Sequence, residues 1–281
     1  MKRNRRWVTI FLLGVSSVIW IPVLLMIGNS LMGSNELLES AGPVFTDMKG
    51  NARMVLFPAF PTLQSYVELL LDSPGFFVMF WNSCGQVFPI LAGQAAVGIP
   101  AAWAFARYRF RGRNFLFLLF MVLMILPFQV TMASGYLVLQ KFNILDTPAA
   151  IILPGIFSTF PVFIMSKSFG GISESLIEAA RIDGAGELKI FFSIGIPMGM
   201  PGIISALVLG FLEYWNAIEQ PMTYLKTKSL WPLSLYLPNI TADNLSVSFA
   251  ASVVMMLPAA LLFLWGQSYL EQGIAASGLK E

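Results

Sequence analysis

Apolar runs alternate with short polar interruptions along the whole chain. A helix needs about 20 mostly apolar residues to cross a bilayer, and six stretches meet that demand: 7–31, 77–106, 115–136, 149–166, 194–217 and 246–269. The fourth is short and holds Pro154 and Pro161, and the fifth opens on Pro197 and Pro201. Proline inside a membrane helix marks a kink whose freed carbonyls neighbouring groups re-satisfy. The first run follows Lys2, Arg3, Arg5 and Arg6. It exceeds the roughly 7–15 apolar residues of a signal-peptide core, so it reads as a retained helix.

Composition sharpens this picture. The 281 residues are 57% hydrophobic and 11% charged, against about 25% charged in soluble domains. The fold class is therefore all-α integral membrane, with six transmembrane helices in one polytopic chain. There is no histidine and a single cysteine, Cys84, which excludes disulfides, thiolate–histidine nucleophiles and the usual zinc sites. No span carries paired carboxylates or a metal-ligand cluster, so a membrane enzyme is poorly supported. A secondary carrier predicts inverted repeats and intramembrane ion-binding carboxylates, and neither is evident.

Charge placement sets the orientation. Most of the 17 basic residues fall on one side: Lys2, Arg3, Arg5, Arg6, Arg107, Arg109, Arg111, Arg113, Lys167, Arg181, Lys189 and Lys280. Lys49, Arg53, Lys141, Lys226 and Lys228 fall on the other. The bias assigns both termini to the cytoplasm. Three outer loops follow, at 32–76, 137–148 and 218–245, and Pro61–Leu71 within the first suits a short amphipathic helix. The chain divides into 1–76, the first helix and long loop; 77–271, the membrane core; and 272–281, a cytoplasmic tail. Arg107–Arg113, with four arginines in seven residues, reads first as a topology determinant; contact with lipid phosphate or a partner is the alternative.

One polar, helix-forming stretch interrupts the apolar second half, within residues 167–197. Ser175 and Glu178 have capping-box spacing, while Ser173 followed by Glu174 offers an alternative cap. Ala179, Ala180 and Arg181 continue the helix, Gly184 closes it in a left-handed conformation, and Glu187 begins a new helix. Leu176, Ile177, Ala180 and Ile182 cannot all be covered by so short a loop. The stretch is either a rigid helix that another protein grips or an amphipathic helix resting on the membrane.

The residues Glu178-Ala179-Ala180, then Gly184, then Ile194-Gly195-Ile196-Pro197, at these spacings, resemble the EAA motif of bacterial ABC-importer permeases, with Ile196 where leucine is usual. Pro100–Gly112, Ile144–Thr147 with Ile151–Pro154, Tyr214–Asn216, Gln272-Gly273 and Gly278–Lys280 are similar to the MalG-like, carbohydrate-importing branch. Ala217 and Ile218 stand between Trp215-Asn216 and the next acidic residue, Glu219, a departure from that branch. The likeness covers residues 77–281.

This resemblance implies a type I ABC-importer transmembrane fold. It implies that Glu178, Ala179, Ala180, Arg181, Asp183, Gly184, Ile194 and Pro197 couple the chain to a cytoplasmic ATPase dimer. The chain lacks a Gly-x-x-x-x-Gly-Lys-Ser/Thr phosphate loop, so it would bind no cofactor, and ATP and Mg would sit on the ATPase. Implied partners are a homologous MalF-like permease subunit, an extracytoplasmic solute-binding protein, membrane lipid and a sugar or oligosaccharide, with no nucleic acid. A polyamine, amino acid or phosphate is the alternative cargo. Asn82, Gln86, Gln94, Gln129, Glu213 and Asn216 are candidate pathway residues, because polar groups within spans are functional candidates, although they also bridge helices. Trp103, Phe128 and Trp215 are aromatic candidates for stacking on sugar faces.

Overall fold

The computed structural model describes residues 2–45, 53, 55–236 and 244–278. Lys49, Pro238, Leu279 and Lys280 lie outside the described residues, as do the side chains of Lys2, Arg3, Arg5 and Arg6. Every regular element among the described residues is helical. Five helices are long and apolar enough to cross a membrane: Trp7–Ser30, Pro74–Arg107, Ala149–Gly170, Glu187–Trp215 and Leu245–Gly273. Counted as one span, the bent pair Arg113–Ile125 and Phe128–Lys141 brings the candidates among the described residues to six.

Two compact units partition these helices, Met1–Val78 with Tyr236–Pro258 and Met79–Leu235 with Ala259–Glu281. In the first unit, α1 (Lys2–Ser30) leads into α2 (Ser34–Phe45) and the short α3 (Gln64–Val67), which runs on as a π-helix over Glu68–Asp72. Residues 64–72 thus realise the helix expected at Pro61–Leu71. Trp7, Phe11, Val18 and Ile19 are exposed along α1, a surface suited only to hydrocarbon. Met32, Leu37 and Leu245 form a small core. Ser30 pairs with Tyr66 at 2.7 Å and Ser34 with Ser246 at 2.9 Å.

The second unit holds most of α4 (Pro74–Arg107), then α5 (Arg113–Ile125), α6 (Phe128–Lys141), α7 (Ala149–Ile156), α8 (Thr159–Gly170), α9 (Glu174–Ile182), α10 (Glu187–Trp215), α11 (Glu219–Tyr224) and the end of α12 (Leu245–Gly278). Helix α8 is its hub and packs against α4, α5 and α10. The small residues Gly195, Gly199 and Gly202 recur on one face of α10 and let Trp103, Phe169 and Ser168 approach its backbone, the close packing that membrane helices use in place of a hydrophobic driving force.

Expected span three, 115–136, is not one straight helix: α5 and α6 meet at 104°. Pro127 has no N–H to offer, and a residue before proline is pushed out of the helical region. Leu126 accordingly takes φ −65° and ψ 122°. Expected span four, 149–166, is interrupted at Phe157 and Ser158 and ends later, at Gly170. The fifth span begins at Glu187 rather than near 194 and tolerates Pro197. There the chain widens into a π-helix over Phe191–Gly195, in which Ile196 N–H donates to Phe191 C=O. The wider turn absorbs a proline that would clash in a regular helix. The same device precedes Pro100: residues Gln94–Gly98 form a π-helix, and in both places the widened turn ends on the glycine of a Gly-Ile-Pro triplet.

Candidate functional site

The polar stretch at 167–197 folds as a short helix held between two long ones. Ser173 is the residue before α9, with extended backbone at φ −62° and ψ 133°. The Ser175–Glu178 capping box does not form; Ser173 Oγ instead pairs with Ser175 Oγ at 2.7 Å, and Glu174 lies in the first turn, where a carboxylate complements the helix dipole. Gly184 takes φ +79°, the left-handed conformation that stops the helix. Its N–H donates to Arg181 C=O, and Ala185 N–H donates to Ala180 C=O.

Helix α9 has two unlike faces. Ile177, 2% exposed, enters the core formed by Trp103, Phe169, Ile190 and Phe191, and Ala180 packs against that core. Full burial of an isoleucine is worth about 1.5–3 kcal/mol, enough to fix the helix on its support. On the opposite side Leu176, Ala179 and Ile182 are exposed, Ile182 at 86%. Glu178 and Asp183 are exposed beside them. The four apolar residues noted in the sequence therefore divide into two that anchor the helix, 177 and 180, and two that face outward, 176 and 182. Ile194 lies within the π-helix against the same core, and Pro197 follows that widened turn.

Arg181 reaches across the glycine turn to Glu187, Nε to Oε1 at 2.8 Å. The hydrogen bond to the Glu187 carboxylate raises the Arg181 pKa above its ordinary value. Tyr108 donates to the other oxygen of Glu187 at 3.2 Å. At the entrance of α9, the Arg107 guanidinium donates to Glu174 Oε2 at 3.1 Å, to Phe169 C=O at 2.6 Å and to Ile172 C=O at 2.5 Å. Its side chain is 8% exposed and stands over the Trp103 ring at 5.6 Å. Phe169 C=O is among the last carbonyls of α8, which have no partner within that helix, and Ile172 lies just beyond its end. Arg107, Tyr108 and Glu187 were not among the residues expected to serve this stretch. A helix joint followed by an acidic first turn is the signal that asks for such a cation.

At the opposite end of the unit lies a cavity of about 810 Å³, lined by Phe128, Thr131, Ser158, Glu213, Tyr214, Asn216 and Glu219, among others. Gln129 Nε2 binds both carboxylate oxygens of Glu219 at 2.8 and 2.6 Å. Asn216 caps α10 by donating to Leu212 C=O at 2.8 Å. Gln94 is buried near the same break and donates to Gly155 C=O at 2.9 Å. Glu213, Asn216 and, through Glu219, Gln129 thus converge on one space, with Phe128 in its wall.

Asn82, Gln86 and Trp215 lie elsewhere. Asn82 donates to Ser229 C=O at 2.7 Å and Trp231 C=O at 3.0 Å, and Gln86 to Leu230 C=O at 3.1 Å. Ser83 accepts from Leu233 N–H at 2.8 Å. One face of α4 thereby zips down the loop that follows α11. Trp215 is buried, stacked on Phe211 at 5.1 Å. Asp146 fastens the loop a second time, accepting from Thr227 Oγ1 at 2.6 Å and from the Lys226 and Thr227 N–H groups, each at 2.8 Å. The hydrogen bonds from Thr227, then that from Lys226, hold the Asp146 carboxyl below the usual carboxylate range.

These features define a class: a helical membrane protein with a short, half-exposed helix between two of its spans and a cavity of mixed lining at the far end of the same unit. Residues 95–276 match the family described as the binding-protein-dependent transport system inner membrane component, and the chain belongs to that family. It is a multi-pass inner-membrane permease, a transport subunit rather than a catalytic one, working within a system that depends on a binding protein. It is 28% identical over 249 residues to the arabinooligosaccharides transport system permease protein AraQ of Halalkalibacterium halodurans, covering 88% of this chain and 89% of that one. It is 31% identical over 218 residues to the osmoprotective compounds uptake permease protein GgtD of Synechocystis, covering 75% and 73%. Its fold is that of a chain in the crystal structure of a bacterial ABC transporter involved in the import of the acidic polysaccharide alginate, at TM-score 0.79 and 22% identity, covering 95% of this chain and 96% of that one.

Proposed function

We propose that the chain forms half of the translocation pathway of an ATP-driven importer of a sugar or oligosaccharide, and that α9 is the element through which a cytoplasmic ATPase drives it. The observation that carries this reading is the outward face of α9: an 86%-exposed isoleucine beside Leu176 and Ala179, on a helix fixed from below by Ile177. Together Leu176, Ala179 and Ile182 make a small apolar patch rimmed by Glu178 and Asp183, the pattern of an interaction surface. Glu178 and Asp183 would pair with cations at the rim of the ATPase cleft, while Ala179 lets that cleft approach closely. Arg181 is already engaged by Glu187 and would shape the turn rather than meet the partner.

Import then follows from geometry. Two ATPase subunits, closing on ATP and Mg, would carry α9 and its counterpart on a second, homologous permease subunit towards each other, and the attached spans would follow as rigid bodies. The solute-binding protein would deliver cargo on the outer side, where the loop after α11 is held by Asn82, Gln86 and Asp146. The cavity around Glu213 and Asn216 would be this subunit's share of the path. Its carboxylates and amide accept and donate hydrogen bonds to sugar hydroxyls, and Phe128 and Tyr214 offer aromatic faces. The identity of AraQ supports a sugar as cargo.

Uptake tests cargo and path together. The complex that copurifies with the chain, in proteoliposomes with its binding protein, should accumulate radiolabelled arabinotriose when ATP is supplied inside the ATPase-bearing compartment. Asn216→Trp, which fills the cavity, should abolish that uptake. Accumulation of spermidine or inorganic phosphate in place of the trisaccharide would overturn the cargo. Unchanged uptake by Asn216→Trp would overturn the path.

A further inference from the structure

The coupling loop is gripped from outside itself, and both grips come from adjacent residues of one span. Arg107 holds its entrance: one guanidinium bonds Glu174 in the first turn of α9, the Phe169 carbonyl at the end of α8 and the Ile172 carbonyl in the link between them. Tyr108 holds its exit: the phenol donates to Glu187, the first residue of α10, whose other oxygen takes Arg181. Between these grips the Trp103 ring packs edge-on to Phe169 of α8 at 5.3 Å and against Phe191 of α10 at 5.6 Å.

A topology determinant needs only exposed positive charge near the membrane. Arg107 differs from Arg109 and Arg111: its side chain is 8% exposed, bonds two backbone carbonyls and the Glu174 carboxylate, and stands over an indole. Arg109 and Arg111 are exposed. Three charge-assisted hydrogen bonds from a planar fork fix position and direction together, which a solvated lysine-like charge does not.

We infer that Arg107 and Tyr108 are positioning residues of the transport cycle, which make the cytoplasmic end of α4 a third strut of the coupling loop. Displacement of α9 by the ATPase is then passed to α4 directly, along with α8 and α10, and the three helix ends move as one body. This rests on the proposed coupling role of α9.

Two measurements on the copurified complex test it. In the first, spin labels replace Arg109 and Lys189, both exposed, with Cys84 changed to serine, and their distance is read by pulsed electron resonance with and without ATP. The expected result is a single distance that ATP does not change, and one that broadens or shifts on ATP when Arg107→Met is added. A wild-type distance that itself changes with ATP, or an Arg107→Met distance that stays narrow, overturns the strut.

In the second, ATP hydrolysed per arabinotriose imported is measured for Arg107→Met, Arg107→Lys, Tyr108→Phe and Glu174→Gln. The milder Tyr108→Phe and Glu174→Gln variants cover the event that Arg107→Met does not fold. Loss of the strut raises that ratio several-fold in Arg107→Met, with partial rescue by lysine and with the ATPase still bound. A ratio equal to wild type in all four overturns the inference, as does loss of the ATPase itself, which would make Arg107 a support for docking only. If the unaltered complex hydrolyses no ATP, the proposed function fails instead, and the two failures are distinct.

Discussion

The Trp103 ring occupies the space that a side chain at residue 195 would need: a Cβ on Gly195 would stand 2.7 Å from the nearest ring carbon. That ring also meets Phe169 and Phe191 and lies under the Arg107 guanidinium, so α4, α8 and α10 share one aromatic joint beneath α9. Gly195→Ala should force the indole aside at a cost of about 1–3 kcal/mol, the range for overpacking a filled core. A lower midpoint of thermal unfolding in detergent, recovered in part by Trp103→Phe in the same chain, checks it. An unchanged midpoint would show that the joint has room.

The turn after α9 requires glycine for its backbone rather than for space, since nothing stands within 4 Å of a Cβ at Gly184 but its φ is +79°. Gly184→Ala should therefore cost about 1–2 kcal/mol, and Gly184→Asn less. The order wild type, asparagine, alanine in resistance of the 182–187 segment to proteolysis is the expected outcome. An alanine variant as resistant as wild type would mean that the left-handed turn is not kept.

Outward residues of α9 should separate docking from folding. Ile182→Glu removes no internal contact, so the permease should keep its unfolding midpoint while the ATPase no longer copurifies. Ile177→Glu should fail differently: burying a carboxylate in the Trp103 cluster costs several kcal/mol and should lower the yield of folded chain.

The outer clasp at Asp146 should depend on pH. Its carboxylate is stabilised in the folded state by Thr227 and Lys226, so its folded pKa lies below the usual carboxylate value. A depressed folded pKa gives stability that is complete above the unfolded pKa, about 4, and is lost as pH falls through the lower folded value. Hydrogen exchange of residues 225–231 should be slow and flat from pH 7 to about 5, after correction for intrinsic rates, and should lose protection below about pH 4. Asp146→Ala should lack that protection at every pH. Protection that is flat to pH 2 in the wild type would contradict the clasp.

Much of this architecture was legible because the bilayer allows few solutions. Apolar length alone located the spans, and Ser173, Gly184 and Glu187 announced a helix, a stop and a restart. Details that depend on neighbours were not. Residues 115–136 read as one span with no break at Leu126-Pro127, yet the chain turns through 104° there, because packing decides how far a proline break opens. Arg107 read as one of four similar charges, since nothing local distinguishes a solvated arginine from one that meets the carbonyls of a helix more than sixty residues away. Asn82 and Gln86 read as pathway candidates, and they hold the loop after α11 instead of lining the cavity. The alanines of Glu178-Ala179-Ala180 read alike, but they face opposite ways once Ile177 has chosen the buried side.

The central claim is that α9 is where an ATPase takes hold. The direct measurement is ATP hydrolysis by the complex purified from native membrane in mild detergent, compared between wild type and Ile182→Glu. The account predicts a copurifying ATPase with the wild-type chain and none with the variant, at equal yield of folded permease. An ATPase retained by Ile182→Glu at wild-type activity, or a wild-type chain that purifies alone and moves solute without ATP, would contradict it.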